Sequence, residues 1–177
     1  LTAATPRRPQ SAKGAGNGSL IGFLAGMSFA PGSSIQGRYV LERLLARGGM
    51  GVLWQASDQK LGRQVAIKVL SAGRLRPEEL RTRFDREARA VAQLQSPHIV
   101  QVFDYGVHGD SSFIVMELLK GEDLRRRLKR SGRMTPAATA DLLGQVAKGL
   151  GEAHAAGIIH RDLKPGNVFF ARTRQEE

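Results

Sequence analysis

A glycine-rich turn held between two strands constrains this chain more than any other feature. Tyr39 to Leu45 reads as a strand, Ala46-Arg47-Gly48-Gly49-Met50-Gly51 as the turn, and Val52 to Ala56 as the returning strand. Lys60-Leu61-Gly62-Arg63 punctuates the chain before a third strand, Gln64 to Leu70. Three strands in succession without an intervening helix form an antiparallel meander. A dinucleotide fold needs a helix directly after the glycines, and Val52-Leu53-Trp54 is a strand, so that fold is excluded. A Walker loop is excluded as well, because no Gly-Lys-Ser/Thr follows.

The rest of the order is equally informative. Pro77, followed by Glu78 and Glu79, suits a helix start. Leu80, Phe84, Glu87, Val91 and Leu94 then recur on one helical face. Ile99 to Tyr105 and Ser112 to Leu118 read as two further strands joined through Gly106 to Asp110. Asp123 to Arg130 reads as a short helix. Thr135 caps a longer one that starts at Pro136, turns Leu142, Leu143, Val146, Leu150 and Ala153 inward, and stops at Gly157. The layout is a β-rich unit with one helix, followed by a helical unit.

Composition excludes several chemistries. With 41% hydrophobic residues the chain can bury a core. The absence of Cys removes disulfides, thiolate metal sites and Cys nucleophiles together. The formal charge is +11, spread along the chain except for one dense run, Arg125-Arg126-Arg127-Leu128-Lys129-Arg130. That run reads first as a solvated helix face with Leu124 and Leu128 as its buried stripe, and only second as a grip on nucleic acid or an anionic membrane. Aromatic residues make up only 6% of the chain, too few for a base-stacking platform. No partnership with nucleic acid is expected.

Residues 1–33 carry Arg7, Arg8 and Lys13 with no acid, amid many Gly, Ala, Ser and Pro, and read as a disordered basic leader. The apolar stretch from Leu20 to Ala30 resembles a signal-peptide core but is well short of the ~20 residues that span a bilayer. Met27 is a candidate initiator, and the chain is expected to work in the cytoplasm.

Two clusters carry chemistry. In Val65-Ala66-Ile67-Lys68-Val69 a strand points Val65, Ile67 and Val69 one way and Ala66 and Lys68 the other. Glu87, a carboxylate on a buried helical stripe, needs a cation, and Lys68 is the cation without a solvated place, so the two are expected to pair. His160-Arg161-Asp162-Leu163-Lys164-Pro165-Gly166-Asn167 places Asp, Lys and Asn within one short polar loop. Such a loop can offer a base, a charge neutraliser and an amide oxygen for a metal in a small volume.

With these motifs in this order, the region from about Tyr39 to Phe170 resembles the protein kinase family, and within it the eukaryotic-like serine/threonine kinases of bacteria. The resemblance implies an α+β, protein-kinase-like fold. An antiparallel β-rich N-lobe with one helix would occupy 34–118, and the beginning of a mainly helical C-lobe, through the catalytic loop, 119–177. It implies that Gly48, Gly49, Met50 and Gly51 cover the phosphates of ATP, with Leu45, Leu53 and Ala66 against the adenine. Lys68 would hold the α- and β-phosphates, oriented by Glu87. Met116 resembles the gatekeeper, with Glu117 to Leu119 as the hinge. Asp162 would orient and deprotonate the substrate hydroxyl, Lys164 neutralise the γ-phosphate, and Asn167 bind Mg2+. Arg161 resembles the arginine that pairs with a phosphorylated activation loop. The implied partner is a protein with an acceptor Ser or Thr.

Ala46 stands in place of the family's first loop Gly, and Leu53 in place of Val. No Asp follows Asp162. The Asp-Phe-Gly metal ligand and the activation loop are therefore missing from these 177 residues, and the expectation is a truncated kinase domain, inactive by itself, whose long helix is poorly covered. A non-catalytic ATP-binding module is the alternative. Full-length relatives often carry membrane anchors, and dimerisation is open.

Overall fold

The computed structural model describes residues 29–48, 51–70 and 91–172. The chain divides into Leu1–Ala30 and Pro31–Glu177, and every element described here belongs to the second unit. Most of the leader and most of the helix expected from Pro77 lie outside the described residues; only Val91 and Ala92 of that helix fall within them.

A six-stranded antiparallel sheet forms the first part. Its strands are β1 (Ser34–Ile35), β2 (Tyr39–Gly48), β3 (Gly51–Asp58), β4 (Arg63–Leu70), β5 (Val102–His108) and β6 (Ser111–Glu117). They are ordered β1-β2-β3-β4-β6-β5. The expected meander is present, but β2 and β3 run to Gly48 and from Gly51, so their connection is shorter than the sequence pattern implies. Likewise β5 continues to His108, and only Gly109 and Asp110 turn the chain into β6.

Alternation sets the core. Val65, Ile67 and Val69 are fully buried, as the strand period requires. Opposite them, Ile67 pairs with Trp54 and Val115, Val69 with Val52 and Phe113, and Val65 with Ala56. All of these side chains share one face and are buried. Tyr39 and Phe113 meet edge-on at 6.4 Å between ring centroids. Register shifts at Glu42 and Leu45 insert one extra residue each into β2. Without the bulge at Glu42, Leu41 and Leu44 could not both stand on the face that holds Ala56 and Trp54.

The sheet also contains a polar knot. Asp58 is only 1% exposed and accepts a fork of hydrogen bonds from Arg38, at 2.9 Å from Nε and 2.7 Å from the terminal nitrogen. It also accepts from the Lys60 and Leu61 amides in the β3–β4 turn. Arg38 reaches Asp104 at 3.4 Å, and Asp104 accepts from the Tyr39 hydroxyl at 2.6 Å. Four residues from three distant parts of the sequence thus tie β2, β3 and β5 together.

After the sheet comes β7 (Gly121–Asp123), which pairs with β8 (Phe169–Ala171) in a two-stranded ribbon. Between them lie α1 (Leu124–Ser131), α2 (Pro136–Ala155) and a 3-10 turn at Pro165–Asn167. Asp123 caps α1 through the Arg126 amide at 2.9 Å, and Thr135 caps α2 through the Ala138 amide at 3.2 Å. The expected stop holds: Gly157, at φ 75°, donates to His154 O.

Two packing expectations need correction. Leu124 and Leu128 are half-buried, since α1 lies on the surface and buries no residue completely. Leu143 is 59% exposed rather than inward. Successive residues on a helix are about 100° apart, so the stripe running through Leu142, Val146, Gly149 and Ala153 leaves Leu143 outside it. Gly149 and Ala153 are the buried residues of α2; a Cβ at Gly149 would sit 3.0 Å from His98 O, so the helix lies backbone to backbone against that segment.

Candidate active site

The turn between the first two long strands is anchored at Gly51. Its φ is 141°, and a Cβ there would overlap Val69 O on the neighbouring strand. Only glycine lets β3 approach β4 so closely. Gly48 has open space about it. Gly49, Met50 and Glu87 lie outside the described residues, and the expected Lys68–Glu87 pair lies there with them.

The strand register brings other expected residues onto one face. Lys68 is flanked by Leu53 on β3 and Ile114 on β6. Ala66, two residues before it on the same face, stands opposite Met116, which also pairs with Val102. Ala66 and Val102 are buried, whereas Leu53, Lys68, Ile114 and Met116 remain half-exposed. Around Lys68 this face is apolar and lies opposite to the packed core, while farther along the strands it turns polar, where Gln55 bonds with Arg43, Glu42 and Gln64. Leu45 is the extra residue of the second bulge in β2 and is half-buried.

Beyond β6, Glu117 is clamped to the segment before β5. Its amide donates to Gln101 O at 3.0 Å, and its carboxylate accepts from the Gln101 amide at 2.7 Å. Leu118 and Leu119 follow, half-buried, and lead into β7. Gly121 adopts φ 139°, where a Cβ would overlap Phe170 O, so the ribbon closes tightly on residues just after the His160–Asn167 loop. The Leu124 amide donates to Val168 O and the Arg172 amide to Lys120 O. These bonds set α1 against the 3-10 turn. Sequence reasoning missed the ribbon, because three-residue strands leave no periodic signal; Gly121 between polar residues is the only hint.

The polar loop comes together as its residue types implied. The Asp162 carboxylate accepts from Lys164 Nζ at 2.9 and 2.6 Å, and from Asn167 Nδ2 at 3.1 Å. Asn167 also donates to Asp162 O at 2.7 Å, which fixes its amide and leaves its carbonyl oxygen free to face a cation. Arg161 has φ 58°, and the Asp162 amide turns back to His160 O at 2.8 Å across it. A non-glycine residue in that region stores about 1–3 kcal/mol, a cost typical of functional loops. The Lys164 ammonium, and then the Asn167 amide, hold the Asp162 carboxyl below the usual carboxylate range. Asp162 is therefore an ionised carboxylate, partly open to solvent, with a paired cation two residues away.

A nucleotide with its magnesium ion fits this donor set. The apolar patch beside the Lys68 ammonium suits a purine carrying phosphates, and Asn167 offers a hard oxygen beside Asp162. Among the described residues no three His, Cys, Asp or Glu side chains form a group that could hold a metal ion. Among them, too, no helix is long and apolar enough to cross a membrane.

Comparison with known proteins agrees. Residues 39–176 match the family model described as protein kinase domain. The chain is 46% identical over 154 residues to serine/threonine-protein kinase PknA of Mycobacterium tuberculosis, covering 84% of this chain and 36% of that protein. It is 42% identical over 143 residues to the probable serine/threonine-protein kinase pknA2 of Bifidobacterium longum, covering 78% of this chain and 19% of that protein. It thus spans little more than a third of the first relative and a fifth of the second. The crystal structure of the Mycobacterium tuberculosis PknI kinase domain superimposes with a TM-score of 0.72 at 31% identity, over 81% of this chain and 58% of that one. Sheet order, catalytic-loop geometry and sequence similarity lead to one assignment: the chain belongs to the protein kinase domain family.

Proposed function

We propose that this chain carries the nucleotide-binding lobe and catalytic loop of a serine/threonine protein kinase, which transfers the terminal phosphoryl group of ATP to a Ser or Thr hydroxyl of a protein. The observation that carries the reading is the convergence of Lys164 and Asn167 on Asp162.

The roles follow from the chemistry of each group. Leu45, Leu53, Ala66 and Met116 supply apolar surface for the adenine, and the backbone of Glu117 to Leu119 its hydrogen bonds. Gly48, Gly49, Met50 and Gly51 bring backbone N–H groups over the phosphates. Lys68 holds the α- and β-phosphates, with Glu87 orienting its ammonium. Asn167 would hold Mg2+, which when bound would supply neutralisation of phosphate charge. Asp162 orients the acceptor hydroxyl and takes its proton as the new O–P bond forms and the bond from phosphorus to the ADP oxygen breaks. Lys164 leaves the carboxylate to meet the charge on the transferring phosphoryl group. Arg161 would pair with a phosphorylated activation segment, as the resemblance implies.

Separation of the phosphoamino acids after partial acid hydrolysis tests the reading. The intact protein that contains these residues, given Mg·ATP and mixed Ser, Thr and Tyr peptides, should yield phosphoserine and phosphothreonine. Phosphotyrosine alone, or no transfer, would refute it.

A further inference from the structure

The basic helix is not used by the proposed chemistry, yet it touches the catalytic loop. In α1 five of the eight residues are Arg or Lys and none is acidic. Two of the cations are engaged nearby: Arg127 stacks 4.2 Å over the Phe170 ring, and Arg130 pairs with Glu122 at 2.5 Å. Arg125 and Arg126 are 75% and 66% exposed and share one carboxylate, Asp123, at 4.0 and 3.3 Å. Asp123, which also caps the helix, carries a single negative charge and cannot neutralise both. Lys129 and Arg133 are exposed beyond them.

Arg125 is the important one. A Cβ placed on Gly166 would meet no heavy atom within 4 Å except Arg125 Cζ and Nε, at 3.8 and 3.9 Å. The missing side chain at 166 thus leaves one side of this guanidinium uncovered, next to Asn167 and four residues from Asp162. Four residues of chain span at most about 14 Å, a distance that an extended peptide also covers in about four residues.

Resting on the kinase reading above, we propose that Arg125 and Arg126 select substrates whose acceptor Ser or Thr lies within about four residues of Asp or Glu. An acidic peptide suits this patch better than a nucleic acid does. The uncovered cation borders the loop where an acceptor hydroxyl must lie, and the whole helix is only ~12 Å long, less than one turn of a duplex.

The test uses the intact protein and three Thr peptides that differ only in flanks: Ala and Gly, Asp and Glu, or Lys and Arg. The acidic peptide should exceed the basic one in kcat/KM by about tenfold at low salt, a factor of a few from each exposed pair. The double variant Arg125→Glu, Arg126→Glu should reverse the order, chiefly through KM, and leave the neutral peptide unchanged; Arg125→Gln, should the double variant fold poorly, should abolish much of the preference. A neutral peptide phosphorylated with no difference between acidic and basic flanks overturns the inference alone. No transfer to any peptide, the neutral one included, overturns the kinase reading with it. Binding of a single-stranded oligonucleotide, tighter than the acidic peptide and lost on Arg125→Glu, would assign the helix to nucleic acid instead.

Discussion

Replacing Asp58 by Ala should cost the sheet about 3 kcal/mol. The carboxylate is 1% exposed and receives both arms of the Arg38 guanidinium. Hydrogen bonds to charged groups contribute about 1.5–3 kcal/mol each, and breaking a buried pair typically costs about 3–5 kcal/mol. Two facts place the value at the low end. Arg38 is about a third exposed and can return to water, and the Lys60 and Leu61 amides released by the change lie in an exposed turn. Trp54, the chain's single Trp, is 4% exposed on the same sheet, so its emission during urea unfolding reports the loss directly. The effect has a pH signature. Arg38 holds the Asp58 carboxyl below its ordinary range, so the stabilisation is complete above the unfolded value near ~4 and fades as pH falls through the lower folded value. Parent and variant should therefore converge in acid. A loss below about 1 kcal/mol at pH 7, or a difference that persists unchanged at pH 2, would refute the ion-pair reasoning.

Three further outcomes follow from the same geometry. Gly51→Ala places a Cβ against Val69 O at a φ that L-residues avoid, and should destabilise the sheet by about 2 kcal/mol or more in the same titration; a silent substitution would count against the close approach. Lys164→Met removes the largest influence holding the Asp162 carboxyl low, so its titration, followed by 13C NMR of the side-chain carbon, should move up toward the ordinary carboxylate range; an unmoved midpoint contradicts the ion pair. Hydrogen exchange on the 177-residue chain should protect β3, β4 and β6 far more than α2, whose Leu143 is exposed and whose Leu142, Val146 and Leu150 are half-covered; equal protection would show that the helix is held as firmly as the sheet.

What the sequence revealed followed the range of the interactions. Strands β2 to β6 were legible because Val65, Ile67 and Val69 alternate with residues that could not share their burial. The helix caps at Asp123 and Thr135 were legible because a cap depends on residues three apart. The polar cluster was legible because Asp162, Lys164 and Asn167 lie within six positions, where a loop must bring them together. What was hidden depends on register and distance. The bulges at Glu42 and Leu45 exist only relative to a partner strand. Arg38, Asp58 and Asp104 meet across gaps of 20 and 66 residues, and nothing near any one of them points to the others. The β7–β8 ribbon is too short for periodicity, yet it sets α1 beside the catalytic loop. Leu143 was misassigned because its neighbour Leu142 fits the same apolar pattern, and only the close approach at Gly149 fixes the phase of the helix.

The central claim is that Asp162 acts as the base in phosphoryl transfer rather than as a structural carboxylate of a nucleotide-binding module. The most direct test compares turnover and ATP affinity in the intact protein carrying Asp162→Asn. The account predicts that transfer falls by a factor on the order of 10²–10⁴ while ATP binding stays within about twofold. Transfer at the parent rate, or no transfer by the parent despite tight ATP binding, would contradict it.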